Sequence, residues 1–119
     1  MILKQSEWTV MEKLWEESPQ TMMQLYHQLS IDPGWSKSTV NTMLKRMCNK
    51  EIIRYEEGKA KKYYPCIKKE DTVLEETSQL INKLYNGSIS MMMNTLVKNN
   101  RMSKKDIQEL YDLLNSIDE

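Results

Sequence analysis

Apolar side chains recur every three to four positions through most of this chain, a period that predicts helices. In the first such stretch Ser6 is a candidate N-cap and Glu7 lies in the first turn. Trp8, Met11, Leu14 and Trp15 then make one apolar face, and Ser18-Pro19 ends the run. Thr21 is placed to cap a second helix, with Met22, Leu25, Tyr26 and Leu29 as its inward stripe. Asp32-Pro33-Gly34 reads as a turn. Ser36 follows Trp35 and opens a third helix that runs to Lys50, with Val40, Met43, Leu44 and Met47 in a single stripe.

The period then changes. Ile52 to Glu56 and Lys61 to Pro65 are β-prone through Ile and Tyr, and Glu57-Gly58-Lys59-Ala60 joins them as a hairpin loop. From Lys68 the helical spacing returns, with Val73, Leu74, Leu80, Ile81, Leu84 and Tyr85 as the apolar positions. Asn86-Gly87 is a break. Met91, Met92, Met93, Leu96 and Val97 belong to a further helix, and Ser103 caps a last one carrying Ile107, Leu110, Tyr111, Leu114 and Ile117. Three helices followed by a hairpin is the winged-helix order, a relative of helix-turn-helix. The expected fold is therefore mainly α: a winged-helix DNA-binding domain over 1–67 and a helical homodimerisation domain over 68–119. The last three helices are too short to make a core alone, so pairing with a second copy is expected to bury Leu80, Leu84, Met92, Leu96, Ile107, Leu110 and Leu114.

Charge sharpens this picture. The 119 residues carry no net charge, which by itself argues against a nucleic-acid partner. The distribution argues for one. Residues 1–34 sum to −3, residues 35–66 to +5 and residues 67–119 to −2. Local charge, rather than the total, makes a phosphate-binding face. On the third helix the side opposite the apolar stripe holds Lys37, Ser38, Asn41, Thr42, Lys45 and Arg46, with no acidic side chain. An ordinary solvated face usually mixes both signs. An α-helix fits the major groove of B-DNA. Arg46 or Lys45 is a candidate donor to guanine N7 and O6, and Asn41 has the amide geometry for adenine N6 and N7. Thr39 or Thr42 offers a methyl to thymine or a hydroxyl to phosphate. The helix N-terminus at Ser36 and Lys37 can receive a backbone phosphate. Lys59, Lys61 and Lys62 in the hairpin would reach neighbouring phosphates or a minor groove.

Other chemistry finds little support. Cys48 and Cys66 sit in no CxxC or Cys/His array, so no metal site and no cofactor is expected. Met91-Met92-Met93 point in three directions on a helix and cannot converge on one ion. His27, the only histidine, has no nucleophile placed near it by any motif. No Gly-rich phosphate loop or nucleophile elbow occurs, so catalysis is not expected. There is no apolar run of spanning length and no signal-peptide stretch after Met1, which makes a cytoplasmic protein without membrane insertion the expectation. Two further readings compete with a DNA-binding repressor. One is a winged helix that uses its basic hairpin on an acidic protein. The other is a copper- or redox-responsive repressor acting through the two thiols.

Three stretches resemble one family. Glu7-Trp8-Thr9-Val10-Met11-Glu12-Lys13-Leu14-Trp15 is similar to the first helix of the penicillinase-repressor (BlaI/MecI/CopY) group. Trp35-Ser36 with Thr39-Val40, Thr42, Leu44 and Arg46-Met47 resembles its recognition helix, and Lys104 to Leu114 its last helix. The resemblance runs over nearly the whole chain. It implies a homodimer on a palindromic TACA/TGTA-type operator of double-stranded DNA, repressing a β-lactamase or other antibiotic-resistance gene. It also implies a membrane sensor protease that triggers cleavage in the arm, which alignment places at Thr95-Leu96, where the family's familiar pair is Asn-Phe. The cysteine-free C-terminus disfavours the copper mechanism. Asn41 stands where the β-lactamase branch usually has Arg, and Glu51 replaces a common Gly after the recognition helix.

Overall fold

The computed structural model describes residues 2–116, without the side chain of Leu114. Its elements in chain order are α1 (Gln5–Glu16), β1 (Gln20–Thr21), α2 (Met22–Leu29), α3 (Lys37–Asn49), β2 (Ile53–Glu56), β3 (Lys62–Pro65), α4 (Lys69–Tyr85), α5 (Ile89–Lys98) and α6 (Lys104–Asn115). Two compact units emerge, Met1–Glu76 and Thr77–Glu119. The first therefore runs past the expected limit at 67 and takes in the opening turns of α4.

In the first unit α1, α2 and α3 close over a small sheet. Val10, Met11 and Leu14 from α1 meet Leu25 and Leu29 from α2, and Val40, Leu44 and Met47 from α3, all essentially inaccessible to water. Ile52, Ile53 and Tyr63 cover the sheet side of this core. The stripe expected on α3 is the stripe observed, since Val40, Met43, Leu44 and Met47 are its buried residues. On α2 only Leu25 and Leu29 are buried, while Met22 and Tyr26 pack at the margin.

The sheet has the order β1-β3-β2, with both pairings antiparallel. Tyr55 faces Tyr63 and Glu56 faces Lys62 across the hairpin, while Gln20 and Thr21 face Tyr63 and Lys62 from the other edge. β1 is an addition to the expected elements. A strand of two residues has no period to read. Its anchor is Gln20, whose buried amide donates to the carbonyls of Lys13 (2.8 Å) and Glu17 (2.7 Å) and accepts from Gln28 Nε2 at 2.6 Å.

The start of α1 also differs from expectation. The cap position is Lys4 rather than Ser6, and the carboxylate of Glu7 accepts the Lys4 N–H at 2.8 Å. Glu7 is buried, and its second oxygen pairs with Lys50 Nζ at 2.7 Å, tying the start of α1 to the end of α3. Burial alone would push this carboxyl up. The Lys50 hydrogen bond, the Lys4 N–H and the two ammonium charges outweigh it and hold the group below its ordinary value of 4.5. A carboxyl depressed in the fold adds stability above its unfolded value and loses it as pH falls through the folded one. Glu7→Gln is thus expected to cost about 1–3 kcal/mol at neutral pH. The deficit relative to the natural chain should close as acid approaches the folded value, which denaturant titrations between about pH 7 and pH 3 would check. A deficit that stays constant across that range counts against this role.

In the second unit the caps at Asn86-Gly87 and Ser103 are as the sequence suggested, and Ser88 adds one at the start of α5. Asn86 and Gly87 take left-handed conformations (φ 51° and 82°) at the end of α4. Ser88 Oγ accepts from Met91 N at 3.2 Å at the start of α5. Ser103 and Asp106 exchange hydrogen bonds of 3.0 and 3.1 Å at the start of α6. Packing is sparse by contrast. Among the described residues of this unit Ile81 is the one buried hydrophobic side chain. Leu80, Leu84 and Ile107 are exposed, as are Ile89, Met91, Val97, Tyr111 and Leu113. Met92, Leu96 and Leu110 are half-buried, and Ile117 lies outside the described residues.

Candidate nucleic-acid interface

The recognition-type surface is built on α3. Ser36 caps it, its hydroxyl accepting from Thr39 N at 3.1 Å and lying 3.0 Å from Thr39 Oγ1. The Thr39 hydroxyl is therefore already engaged at the cap. Lys37, Ser38, Thr39, Asn41, Thr42, Lys45 and Arg46 are all exposed, so nothing among the described residues covers this face. With successive residues about 100° apart around a helix, Ser38, Thr42 and Lys45 sit opposite the buried stripe. Asn41 lies on the flank toward the hairpin and Arg46 on the other flank. Lys37 Nζ rests 5.5 Å from the centre of the Tyr26 ring.

A groove of about 600 Å³ separates this face from the hairpin, with Thr21, Met22, Asn41, Lys45, Tyr55 and Lys61 among its walls. Lys61 is held there by its own sheet, its Nζ 4.4 Å from the centre of the Tyr55 ring. Tyr55 in turn leans on Tyr63, with ring centres 6.1 Å apart. Alternation along the strands sends the next residues to the opposite side. There Arg54 pairs with Glu56 at 3.0 Å, stacks on Tyr64 at 4.1 Å, and Tyr64 Oη donates to Glu56 at 3.0 Å. Hydrogen bonds from Arg54 and then Tyr64 hold the Glu56 carboxyl below the usual range, and Lys62, its partner across the strands, adds to this.

The three hairpin lysines thus separate. Lys61 borders the groove beside Asn41 and Lys45. Lys62 faces Glu56 on the far side, and Lys59 is exposed in the connecting loop. Tyr55 was missed in the sequence, although its two-residue spacing from buried Ile53 was a usable signal.

Cys48 and Cys66 line one shallow hollow with Ile53 and Arg54. Burial, and then the neighbouring Cys66, pushes the Cys48 thiol up against the opposing pull of Lys61. A thiol kept protonated is a poor nucleophile and a poor metal ligand. No helix among the described residues is long and apolar enough to cross a membrane.

Three helices, a capped exposed third helix and a three-stranded hairpin sheet define a winged-helix domain of the DNA-binding class. Its fold matches the solution structure of the DNA binding domain of the repressor BlaI, with a TM-score of 0.53 and 30% identity over 58% of this chain and 85% of that one. Residues 3–116 match the penicillinase repressor family, and the chain belongs to it. It is 29% identical to the penicillinase repressor of Bacillus licheniformis, over 94% of this chain and 88% of that protein. The penicillinase repressor of Staphylococcus aureus is also 29% identical, over 97% and 92% of the two chains. The methicillin resistance regulatory protein MecI of Staphylococcus aureus (strain N315) is 25% identical, over 95% and 93%.

Proposed function

We propose that this chain is a cytoplasmic transcriptional repressor that binds a palindromic TACA/TGTA-type operator as a homodimer and controls an antibiotic-resistance gene. The observation that carries this reading is the acid-free, exposed face of α3, with Ser38, Asn41, Thr42, Lys45 and Arg46, standing beside Lys61 of the hairpin. Base edges are read from α3 and phosphates are met at Ser36, Lys37 and the hairpin, which divides specificity from positioning. The relatives named as penicillinase and methicillin-resistance repressors support the regulated gene class.

The second copy is expected on the exposed apolar side chains of α4 to α6. Leu80 and Leu84 are 50% and 59% accessible in the single chain and Val97 and Tyr111 are exposed as well, too much apolar surface to leave in water. Release is assigned to the arm. The Thr95–Leu96 bond, the candidate for cutting by a membrane sensor protease, lies inside α5, where Asn99 N donates to the Thr95 carbonyl at 3.2 Å. A protease must unwind that turn to reach it, and cutting there would break the arm that pairs the protomers.

Operator binding measured across a salt series tests the function. Each neutralised phosphate contributes about −0.9 to the slope of log K against log salt, so a dimer meeting phosphates with Lys37, Lys59 and Lys61 of each copy should give roughly −5. A slope near zero, or equal affinity for the palindrome and for scrambled DNA, overturns the proposal.

A further inference from the structure

α4 leaves the winged helix held at two points, and both holds come from tryptophans of α1. Trp15 Nε1 donates to the carbonyl of Ile67 at 2.9 Å, just ahead of the helix. Trp8 Nε1 donates to Glu76 Oε1 at 2.8 Å, and the same oxygen accepts the Leu3 N–H at 3.0 Å. The two indoles brace each other edge-to-face, with ring centres 5.4 Å apart. Leu3 itself is buried in the core, so the N-terminal segment that grips Glu76 is anchored in turn.

One anchor would leave α4 free to pivot. Two anchors, nine residues apart along the chain with the second about 10 Å into the helix at 1.5 Å per residue, hold its opening turns against α1. That hold matters to DNA binding only if α4 leads to a second copy, so a role for these anchors rests on the homodimer reading. Half-sites one helical turn apart put the two recognition helices about 34 Å apart. A tilt of about 10° acting over that span displaces a recognition helix by about 6 Å, nearly two base-pair steps of 3.4 Å. Binding energy is lost whenever such freedom must be frozen on the DNA.

We propose that Trp8 and Glu76 are positioning residues that set which spacing between operator half-sites the dimer accepts. They touch no DNA. They act through α4, by fixing how each winged helix is presented.

The test uses the full chain with Trp8→Phe, which keeps an aromatic ring and removes the N–H, and with Glu76→Ala. Glu76→Gln keeps an oxygen acceptor and serves as the conservative control. Affinity is measured on palindromes whose centre is lengthened or shortened by one and two base pairs, and on a single half-site. Sedimentation of each protein gives its oligomeric state. The natural chain should show a sharp optimum. Trp8→Phe and Glu76→Ala should bind the optimal palindrome roughly tenfold more weakly, about the effect of one mismatched base pair. They should also flatten the spacing profile and leave half-site binding unchanged, while Glu76→Gln should restore most of the optimum. Dimeric variants with an unchanged profile overturn the proposal while leaving the homodimer intact. Equal losses on half-site and palindrome also overturn it, by showing a role in folding alone. A natural chain that is monomeric and indifferent to spacing overturns the homodimer reading and this proposal together.

Discussion

A chain carrying Lys45→Glu should bind operator DNA at least about a hundredfold more weakly than the natural protein, while remaining folded and dimeric. Lys45 is exposed on the side of α3 that lies opposite the buried stripe, and it borders the groove shared with Lys61. Losing one specific contact to a base edge costs about 1–3 kcal/mol. A carboxylate in its place adds repulsion from the phosphates, and each 1.4 kcal/mol is a factor of about ten in affinity. The fold should not suffer, because the side chain is solvent-facing and makes no ion pair with the rest of the described chain. Fluorescence anisotropy on labelled operator measures the loss, and circular dichroism confirms the fold. A change of less than about threefold, within the range of a bystander surface charge, would remove Lys45 from the interface.

Leu84→Asp should have an equally large effect by a different route. Leu84 is 59% accessible in the single chain, so an aspartate there meets mostly water before assembly. In a dimer seam the same carboxylate would be stripped of water without a partner. The variant is expected to sediment as a monomer. Linking two reading heads raises affinity by about 10² to 10⁴ through effective concentration alone, and the monomer should lose a factor in that range on the full palindrome. Its binding to a half-site should stay near that of the natural chain. A variant that still sediments as a dimer would take α4 out of the seam.

The two experiments bear on parts of the chain that were not equally legible. The α3 stripe was readable because a helix of 13 residues gives its period several chances to repeat. The hairpin was readable from its Ile- and Tyr-rich runs and the Gly58 loop, and the observed strands lie within them. The two-residue β1 has too little sequence for any pattern, and it exists only because β3 and the Gln20 hydrogen bonds receive it. Glu7 read only as a first-turn acid, because nothing local announces that Lys50, forty-three residues on, will pair with it. Trp8 and Trp15 read as core side chains. They are only half-buried, since each indole N–H must reach an acceptor at the edge, Glu76 for one and Ile67 for the other. At the interface, the acid-free face was visible in composition. Which hairpin lysine stands beside it was not, because that depends on the register Glu56 to Lys62, a matter of single residues.

The turn between α3 and β2 holds a last consequence. Glu51 takes a left-handed conformation (φ 61°), and Ile52 N reaches back to the Met47 carbonyl at 3.0 Å to close the helix end. That geometry costs an L-residue with a Cβ about 1–2 kcal/mol, and glycine far less. The bend that swings the chain from α3 into its hairpin is therefore kept under tension by the choice of one side chain, which is itself exposed. A single codon change could relax it, so the thermal endurance of this domain can drift over evolutionary time without any alteration to the exposed face of α3.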